Sequence, residues 1–245
     1  MIKVSVITVC KNNQNSIFET MQSVKLQDYP SIEHIIIDGA STDSTIKIVQ
    51  NFNPNYMISE PDNGIYDAIN KGIQHSTGDI IAILHADDIF ASKNVVSQMV
   101  KTITENNTDS VYADLLYVNK NDSNKIIRHW KSGLYSKQKI KYGWMPPHPT
   151  FFVKKKIYED YGYFDTSFKI AADYDLMLRF LYKNNISTSY CEIITTKMRV
   201  GGISNRSIKN ILIKIKEDLI VAKRNGLCGI VTITLKNLRK ISQFM

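Results

Sequence analysis

The chain holds 245 residues with 31 Lys+Arg, 23 Asp+Glu and 43% hydrophobic residues, for a formal charge of +8. A chain of that length and composition can bury a full core, which excludes a disordered or collagen-like protein and suits one domain with an appendage. The charge is uneven: residues 206–245 hold nine basic and two acidic residues, and residues 1–205 hold 22 and 21, so a uniformly basic nucleic-acid binder is excluded.

Short apolar runs alternate with segments of helical period, the pattern of an α/β sheet rather than a β-sandwich. Val4–Val9 reads as a buried strand. Ser16 and Glu19 have capping-box spacing, and Ile17, Met21 and Val24 keep one apolar face through the helix that follows. His34–Ile37 is a second strand, running into a cluster from Asp38 to Asp43 that is dense in helix N-cap residues, and Ile46, Val49 and Phe52 mark the next helix. Tyr56–Ser59 is a third strand, residues 61–64 a turn and Ile65–Gln74 a helix. Ile80–Leu84 is a fourth strand that stops at His85-Ala86-Asp87-Asp88, and a helix over about 93–105 closes the unit. The second half is less regular. Val111–Val118 and Ile126–Trp130 read as strands, residues 144–149 as a proline-stiffened loop, and Phe151–Val153 as a short strand. Helices are expected near Lys155–Tyr161 and over Asp173–Tyr182, and Ser189–Arg199 reads as a last strand broken by Gly201-Gly202.

Three widely spaced cysteines, Cys10, Cys191 and Cys228, show neither CxxC nor Cys/His zinc spacing, so no disulfide framework or zinc site is expected. The apolar N-terminal stretch is too short to span a bilayer, and the body is expected in the cytoplasm.

Ligands of such sheets bind beyond the carboxyl ends of the strands, which directs attention to Asp38 and to Asp87-Asp88. The first strand is followed by Cys10-Lys11-Asn12-Asn13, without the glycines of a dinucleotide fingerprint or a Walker loop. A diphosphate bound here would need a cation, and adjacent aspartates offer hard oxygen ligands for Mg²⁺ or Mn²⁺. Two aspartates after a strand are also what a helix cap needs, so the pair by itself leaves both readings open.

Several segments occur together in one order: the first strand, Ile36-Ile37-Asp38-Gly39-Ala40-Ser41-Thr42-Asp43, the run from Ser59 to Gly72, Gly78-Asp79, His85-Ala86-Asp87-Asp88, Pro147–Phe152, and Ala171-Ala172-Asp173-Tyr174-Asp175-Leu176. This arrangement, over roughly residues 1–205, resembles the inverting family 2 glycosyltransferases of bacterial polysaccharide biosynthesis. The resemblance implies a GT-A (Rossmann-like) fold, an α/β architecture with a mixed, mostly parallel central sheet flanked by helices. Its nucleotide-binding half would be residues 1–107 and its acceptor half residues 108–205. It implies metal-dependent transfer of a hexosyl-type sugar from a nucleotide-sugar donor, a UDP-sugar, to a glycan or polyprenyl-linked saccharide. Thr8, Val9, Cys10, Lys11 and Asp38 would line the nucleotide pocket, with Asp67, Asn70 and Lys71 toward the donor. His85, Ala86 and Asp87 stand where the family has its DxD motif, so His85 replaces the first aspartate. Asp87 would hold Mn²⁺ or Mg²⁺, with Asp88 beside it. The family's Glu-Asp pair aligns with Ala172-Asp173, which leaves Asp173 as the base that takes the acceptor's proton. His148, Asp175 and Arg199 are candidates for acceptor or diphosphate contacts. A sugar-phosphate nucleotidyltransferase would carry a glycine-rich basic loop after the first strand, which is absent. The lost glutamate and first aspartate keep a non-catalytic binding subunit of the same fold as an alternative.

From Ser207 onward Ile208, Ile211, Leu212, Ile215 and Leu219 share helical spacing, interleaved with Lys209, Lys214 and Lys216, and Lys236–Lys240 is basic again. Residues 206–245 therefore read as a basic amphipathic helical extension, expected either to lie peripherally on the inner face of the membrane or to form a homodimer interface.

Overall fold

The computed structural model describes residues 1–201 and 208–241. The first half builds β1 (Val4–Cys10), α1 (Ile17–Lys25), β2 (Ile32–Asp38), α2 (Thr45–Gln50), β3 (Tyr56–Ser59), α3 (Ile65–His75) and β4 (Ile80–Ile83). These four strands lie parallel in the order β3-β2-β1-β4. All seven residues of β1 are buried, as a parallel strand covered on both faces requires. The second half adds β5 (Ile89–Phe90), α4 (Val95–Glu105), β6 (Ser110–Val118), β7 (Ile126–Trp130), α5 (Lys137–Lys141), β8 (Phe152–Lys154) and α6 (Lys155–Tyr161). There follow α7 (Ala172–Met177), which continues as a wider π-type turn over Leu178–Lys183, and β9 (Thr188–Arg199). The sheet continues from β4 through β8, β6 and β9 to β5, with β7 paired to β6. Here β8 runs antiparallel to β4 and β6, and β6 is parallel to β9. The mixed sheet flanked by helices is the architecture expected of a GT-A fold.

Strand ends carry the polar residues that fix the sheet. The Glu33 carboxylate on β2 takes hydrogen bonds from the Ser5 hydroxyl, from Thr77 N (2.5 Å) and Oγ1 (2.7 Å) and from Gly78 N (3.0 Å), and it pairs with Lys3 at 2.7 Å. Burial alone would raise its pKa, but Lys3 and these donors outweigh it and hold the group at about 2. Glu33 thus ties β1, β2 and the approach to β4 together at the end of the sheet opposite the ligand side.

Two local expectations change. Ser16 makes no side-chain cap on α1, and Glu19 reaches instead to Arg199 at the end of β9. A charged pair with a partner 180 residues away outcompetes the local capping box. The two-residue strand β5 and the single-turn helix α5 carry too little periodicity to be anticipated.

The C-terminal segment forms α8 (Ile208–Arg224) and α9 (Gly229–Ile241). Val221, Ala222, Leu227 and Ile233 are buried in the same cluster as Tyr174, Leu176 and Phe180. Burial of a Val, Leu or Ile side chain stabilises by roughly 1.5–3 kcal/mol, so these helices are docked into the core and not trailing from it. The close approach of α9 is set at Gly143, where an added Cβ would lie 2.3 Å from Lys236 N. The boundary between 205 and 206, with Gly202, falls outside the described residues. No helix among the described residues is long and apolar enough to cross a membrane.

Candidate active site

At the carboxyl end of β1 the side chains of Thr8, Val9 and Cys10 are buried, and Lys11 is exposed. Thr8 Oγ1 meets His34 Nε2 at 3.0 Å, and burial pushes His34 down to about 3, so this imidazole stays neutral. Burial, with Asp38 beside it, pushes the Cys10 thiol far up, so Cys10 is a packed thiol and not a nucleophile. Any ligand contact from residues 8–10 would therefore come from their main chain.

Asp38 is fully buried at the end of β2. Its carboxylate accepts from Ser41 N (2.8 Å), Ser41 Oγ (2.5 Å), Ser59 Oγ (2.7 Å) and Cys10 Sγ (3.4 Å). A nucleobase N–H would have to share an oxygen that already takes two donors. The turn after it is tight: Ala40 has φ +57°, and a Cβ at Gly39 would lie 2.2 Å from the Asp62 carboxylate.

The three donor candidates on α3 each have partners within the chain. Asn70 spends both ends of its amide on Phe164, donating to its O at 2.8 Å and accepting from its N at 3.0 Å. Lys71 pairs with Glu60 at 2.6 Å and Asp67 at 3.6 Å, and Asp67 also accepts from Asn63 N. Asp175, expected at the acceptor, is buried and paired with Arg179 at 2.8 Å, while Asn225 donates to its other oxygen. Two residues past Asp173 on a helix is a rotation of about 200°, which turns Asp175 into the core.

The turn after β4 differs in kind. Ala86 is buried, Asp87 half-buried, and Asp88 only 1% exposed with neither carboxylate oxygen hydrogen-bonded. Burial and the adjacent Asp87 push the Asp88 carboxyl well above the usual range. The turn is clamped from outside: Arg199, also buried, donates to Asp87 O at 2.8 Å and to Glu19. Arg199 thus orders the carboxylate turn through its main chain. Among the described residues no three His, Cys, Asp or Glu side chains converge as a closed cation cage. A site of one or two carboxylates completed by phosphate and water is the arrangement Mg²⁺ and Mn²⁺ usually take, and an orphaned buried carboxylate beside a half-buried one fits it.

From this turn a chain of contacts leads to α7. His85 Nε2 lies 2.9 Å from His148 Nε2, and His148 Nδ1 lies 3.2 Å from Asp173 Oδ2. Burial, then His148, pushes His85 down to about 3, so it is neutral. His85 Nδ1 is buried without a partner, which favours the tautomer with its proton on Nε2, donated to His148. His148 then donates from Nδ1 to Asp173. Asp173 Oδ1 accepts from Tyr174 N at 2.8 Å, and the Tyr66 hydroxyl sits 3.5 Å away. Burial would raise Asp173, but His148, then Lys236 and the Tyr174 N–H, bring it to about 2. Asp173 and His148 open into a cleft of about 940 Å³ whose other walls include Tyr117, Arg128 and Trp130 from β6 and β7, Arg199, and Lys214, Asp218, Lys236 and Arg239 from α8 and α9.

The residues that hold α7 from behind were not anticipated. Glu217 on α8 accepts from the N–H groups of Lys169 (2.9 Å), Ile170 (2.9 Å) and Ala171 (3.0 Å), the three residues before α7. Next to it Asp218 forms a buried pair with Lys236 at 2.9 Å, and the Lys236 ammonium lies 3.4 Å from the Tyr174 ring centroid. Glu217→Ala is expected to cost about 3 kcal/mol, or roughly 6–12 °C in Tm, because three charge-assisted bonds are lost together. Thermal unfolding measures this, and a Tm within a degree of the parent would show that the three bonds do not stabilise the fold.

Comparison with known proteins fits this geometry. The glycosyl transferase family 2 model matches residues 5–168. An uncharacterized glycosyltransferase of Mycobacterium tuberculosis is 34% identical over 183 residues, covering 72% of this chain and 68% of the relative. A PGL/p-HBAD biosynthesis glycosyltransferase of Mycobacterium bovis is 24% identical over 201 residues, covering 79% of this chain and 76% of the relative. The structure of S. aureus TarS 1–349 in complex with UDP-GlcNAc superposes with a TM-score of 0.69 at 17% identity, covering 96% of this chain and 70% of that one. Longer TarS superposes at 0.68 with 20% identity, covering 90% of this chain, which spans only 39% of that length. A mannosyltransferase from Pyrobaculum calidifontis in complex with GDP-Man and Mn²⁺ superposes at 0.66 with 17% identity, covering 91% of this chain and 64% of that one.

Proposed function

The chain belongs to glycosyl transferase family 2, and from that premise we propose that it is an inverting, divalent-metal-dependent hexosyltransferase acting in surface polysaccharide biosynthesis. It would move one sugar from a nucleotide donor, a UDP-sugar, to a saccharide or lipid-linked saccharide acceptor. The observation that carries this reading is the contact chain from His85 through His148 to Asp173. It joins the carboxylate turn after β4 to an ionised carboxylate on α7 that lines the cleft. A leaving group and an attacking hydroxyl need those two positions on one site.

Asp87, with Asp88 behind it, would hold the cation. When bound there, a divalent ion would supply positive charge to offset that of the departing diphosphate. Asp173 stays ionised at neutral pH because its pKa is held near 2. So weak a base takes a hydroxyl proton only as the C–O bond forms and that proton becomes acidic. The acceptor oxygen attacks the anomeric carbon, its proton passes to Asp173, and the bond to the nucleotide diphosphate breaks with inversion. His148 and the Tyr174 N–H keep the carboxylate oriented for that transfer.

A panel of nucleotide sugars tests this, scored by thermal shift and slow hydrolysis with Mn²⁺ or Mg²⁺. Stabilisation by UDP and one UDP-sugar, lost with EDTA, is the expected result. Stabilisation by a sugar 1-phosphate with a nucleoside triphosphate, but not by UDP, would indicate nucleotidyl transfer instead.

Exposed Leu212 and Ile220 on α8, with Lys216 and Lys223 on the same helix, support a peripheral contact with an anionic bilayer. Co-sedimentation with anionic vesicles at low salt is expected, and protein left in the supernatant would rule the contact out.

A further inference from the structure

Two polar side chains of α3 converge on the segment that leads into α7. Asn70 clasps the main chain of Phe164 through both ends of its amide. One turn earlier on the same helix, Tyr66 stacks its ring on that of Phe164, with centroids 5.6 Å apart and planes at 14°. Residues four apart share a helix face, so α3 presents the phenol and the amide together. The Tyr66 hydroxyl reaches further along the segment, to 2.6 Å from Ile170 O and 3.5 Å from Asp173 Oδ1. From the other side Glu217 takes the N–H groups of Lys169, Ile170 and Ala171. The approach to α7 is therefore held by α3 on one side and by α8 on the other.

A phenol has one proton to donate, and the shorter contact takes it, so Tyr66 donates to Ile170 O. Its lone pairs are then what face Asp173 Oδ1. Burial, and then Asp173, push the Tyr66 phenol well above its usual range, so it keeps that proton. Lone pairs gain nothing from an ionised carboxylate, but they accept a hydrogen bond from a carboxyl that has just taken a proton on Oδ1. His148 has the opposite bias, since its donation to Oδ2 favours the ionised form. A contact that strengthens as the proton arrives lowers the barrier, whereas one made equally before and after does not.

We propose that Tyr66 is a positioning residue for the base, its oxygen accepting a hydrogen bond from Asp173 Oδ1 once that atom has taken the acceptor's proton. The acceptor's O–H bond breaks, its proton bonds to Oδ1 and its oxygen bonds to the anomeric carbon. The electron pair of the bond to the diphosphate leaves with the nucleotide, and the Tyr66 proton stays on the phenol. This rests on reading Asp173 as the base of a glycosyltransferase. A helix from the first half of the chain then governs a base supplied by the second.

Tyr66→Phe in the full chain tests it, because the ring and its stack remain and one hydroxyl is lost. The assay is Mn²⁺-dependent hydrolysis of radiolabelled UDP-Glc, UDP-Gal, UDP-GlcNAc and UDP-GalNAc, with water as the acceptor, using whichever the parent cleaves fastest. The variant is expected to lose about tenfold in kcat, with KM and UDP affinity within about twofold of the parent. Added to Asp173→Asn, it is expected to cost nothing more, because a residue acting through the carboxylate has no effect once the carboxylate is gone. A parent that cleaves none of the four donors would defeat the glycosyltransferase reading, and this inference with it. With the parent active, an unchanged kcat in Tyr66→Phe would overturn the inference alone. So would a parallel loss of UDP affinity, which would place the hydroxyl at the donor. A further tenfold loss in the double variant, or a Tm lowered by more than about 5 °C in Tyr66→Phe, would make the role structural and overturn it as well.

Discussion

Asp173→Asn is expected to lower kcat about 10³-fold while leaving the affinity for the nucleotide sugar within about twofold of the parent. The substitution is isosteric, so an amide oxygen can still accept from His148 Nδ1 or from Tyr174 N, and the fold around α7 should persist. What disappears is the negative charge that receives the acceptor's proton. Asp173 lies near 2 in the folded protein, so its ionised form is present throughout the neutral range and is lost only as pH falls toward that value. The defect should therefore be the same at pH 6 and pH 8, with no recovery at the alkaline end. Single-turnover rates and nucleotide-sugar titrations separate the two quantities. If binding falls along with rate, Asp173 is a structural residue; if neither changes, the proton goes elsewhere.

How much of this could be read from the chain depends on where each residue finds its partners. The parallel half was legible because β1, β2 and β4 are apolar runs that end at polar residues where the covering helices begin. Asp38, Asp87 and Asp173 could be singled out as candidates because each stands at or beside the end of a strand or the start of a helix, although Asp38 itself is fully buried. The same logic did not foresee the partners of Asn70, Lys71 and Asp175. Each looks available on its own helix, yet each is satisfied from another segment: by Phe164, by Glu60 and by Arg179 with Asn225. Glu217, Asp218 and Lys236 failed in the reverse direction. In a basic amphipathic pattern they read as solvated charges, and periodicity cannot reveal that three N–H groups ahead of α7 wait for Glu217. Much of the +8 charge lies in the C-terminal segment, where periodicity reads every lysine as solvated, yet Lys214, Lys236 and Arg239 line the cleft.

Asp87→Ala should be as damaging as the loss of the base, cutting turnover about 10³-fold and removing the dependence of UDP affinity on Mn²⁺. The position suits the test, because Arg199 holds the Asp87 main-chain oxygen, a contact that the substitution leaves in place. The clamp to Glu19 therefore survives the substitution, and the turn should keep its shape. Asp88 supplies the contrast. It is buried, and burial with Asp87 beside it outweighs the nearby Arg199, so its charge is costly unless a further cation sits close by. Asp88→Asn is expected to keep the fold and to lose about tenfold in turnover, with a matching weakening of Mn²⁺-dependent UDP binding. Titration of Mn²⁺ with UDP present, followed by its electron spin resonance signal, reads both variants without requiring turnover. An Asp87→Ala protein that still takes up Mn²⁺ with UDP would remove this aspartate from the cation site. If Asp88→Asn alone abolished uptake, the buried carboxylate would be the principal ligand and Asp87 its neighbour.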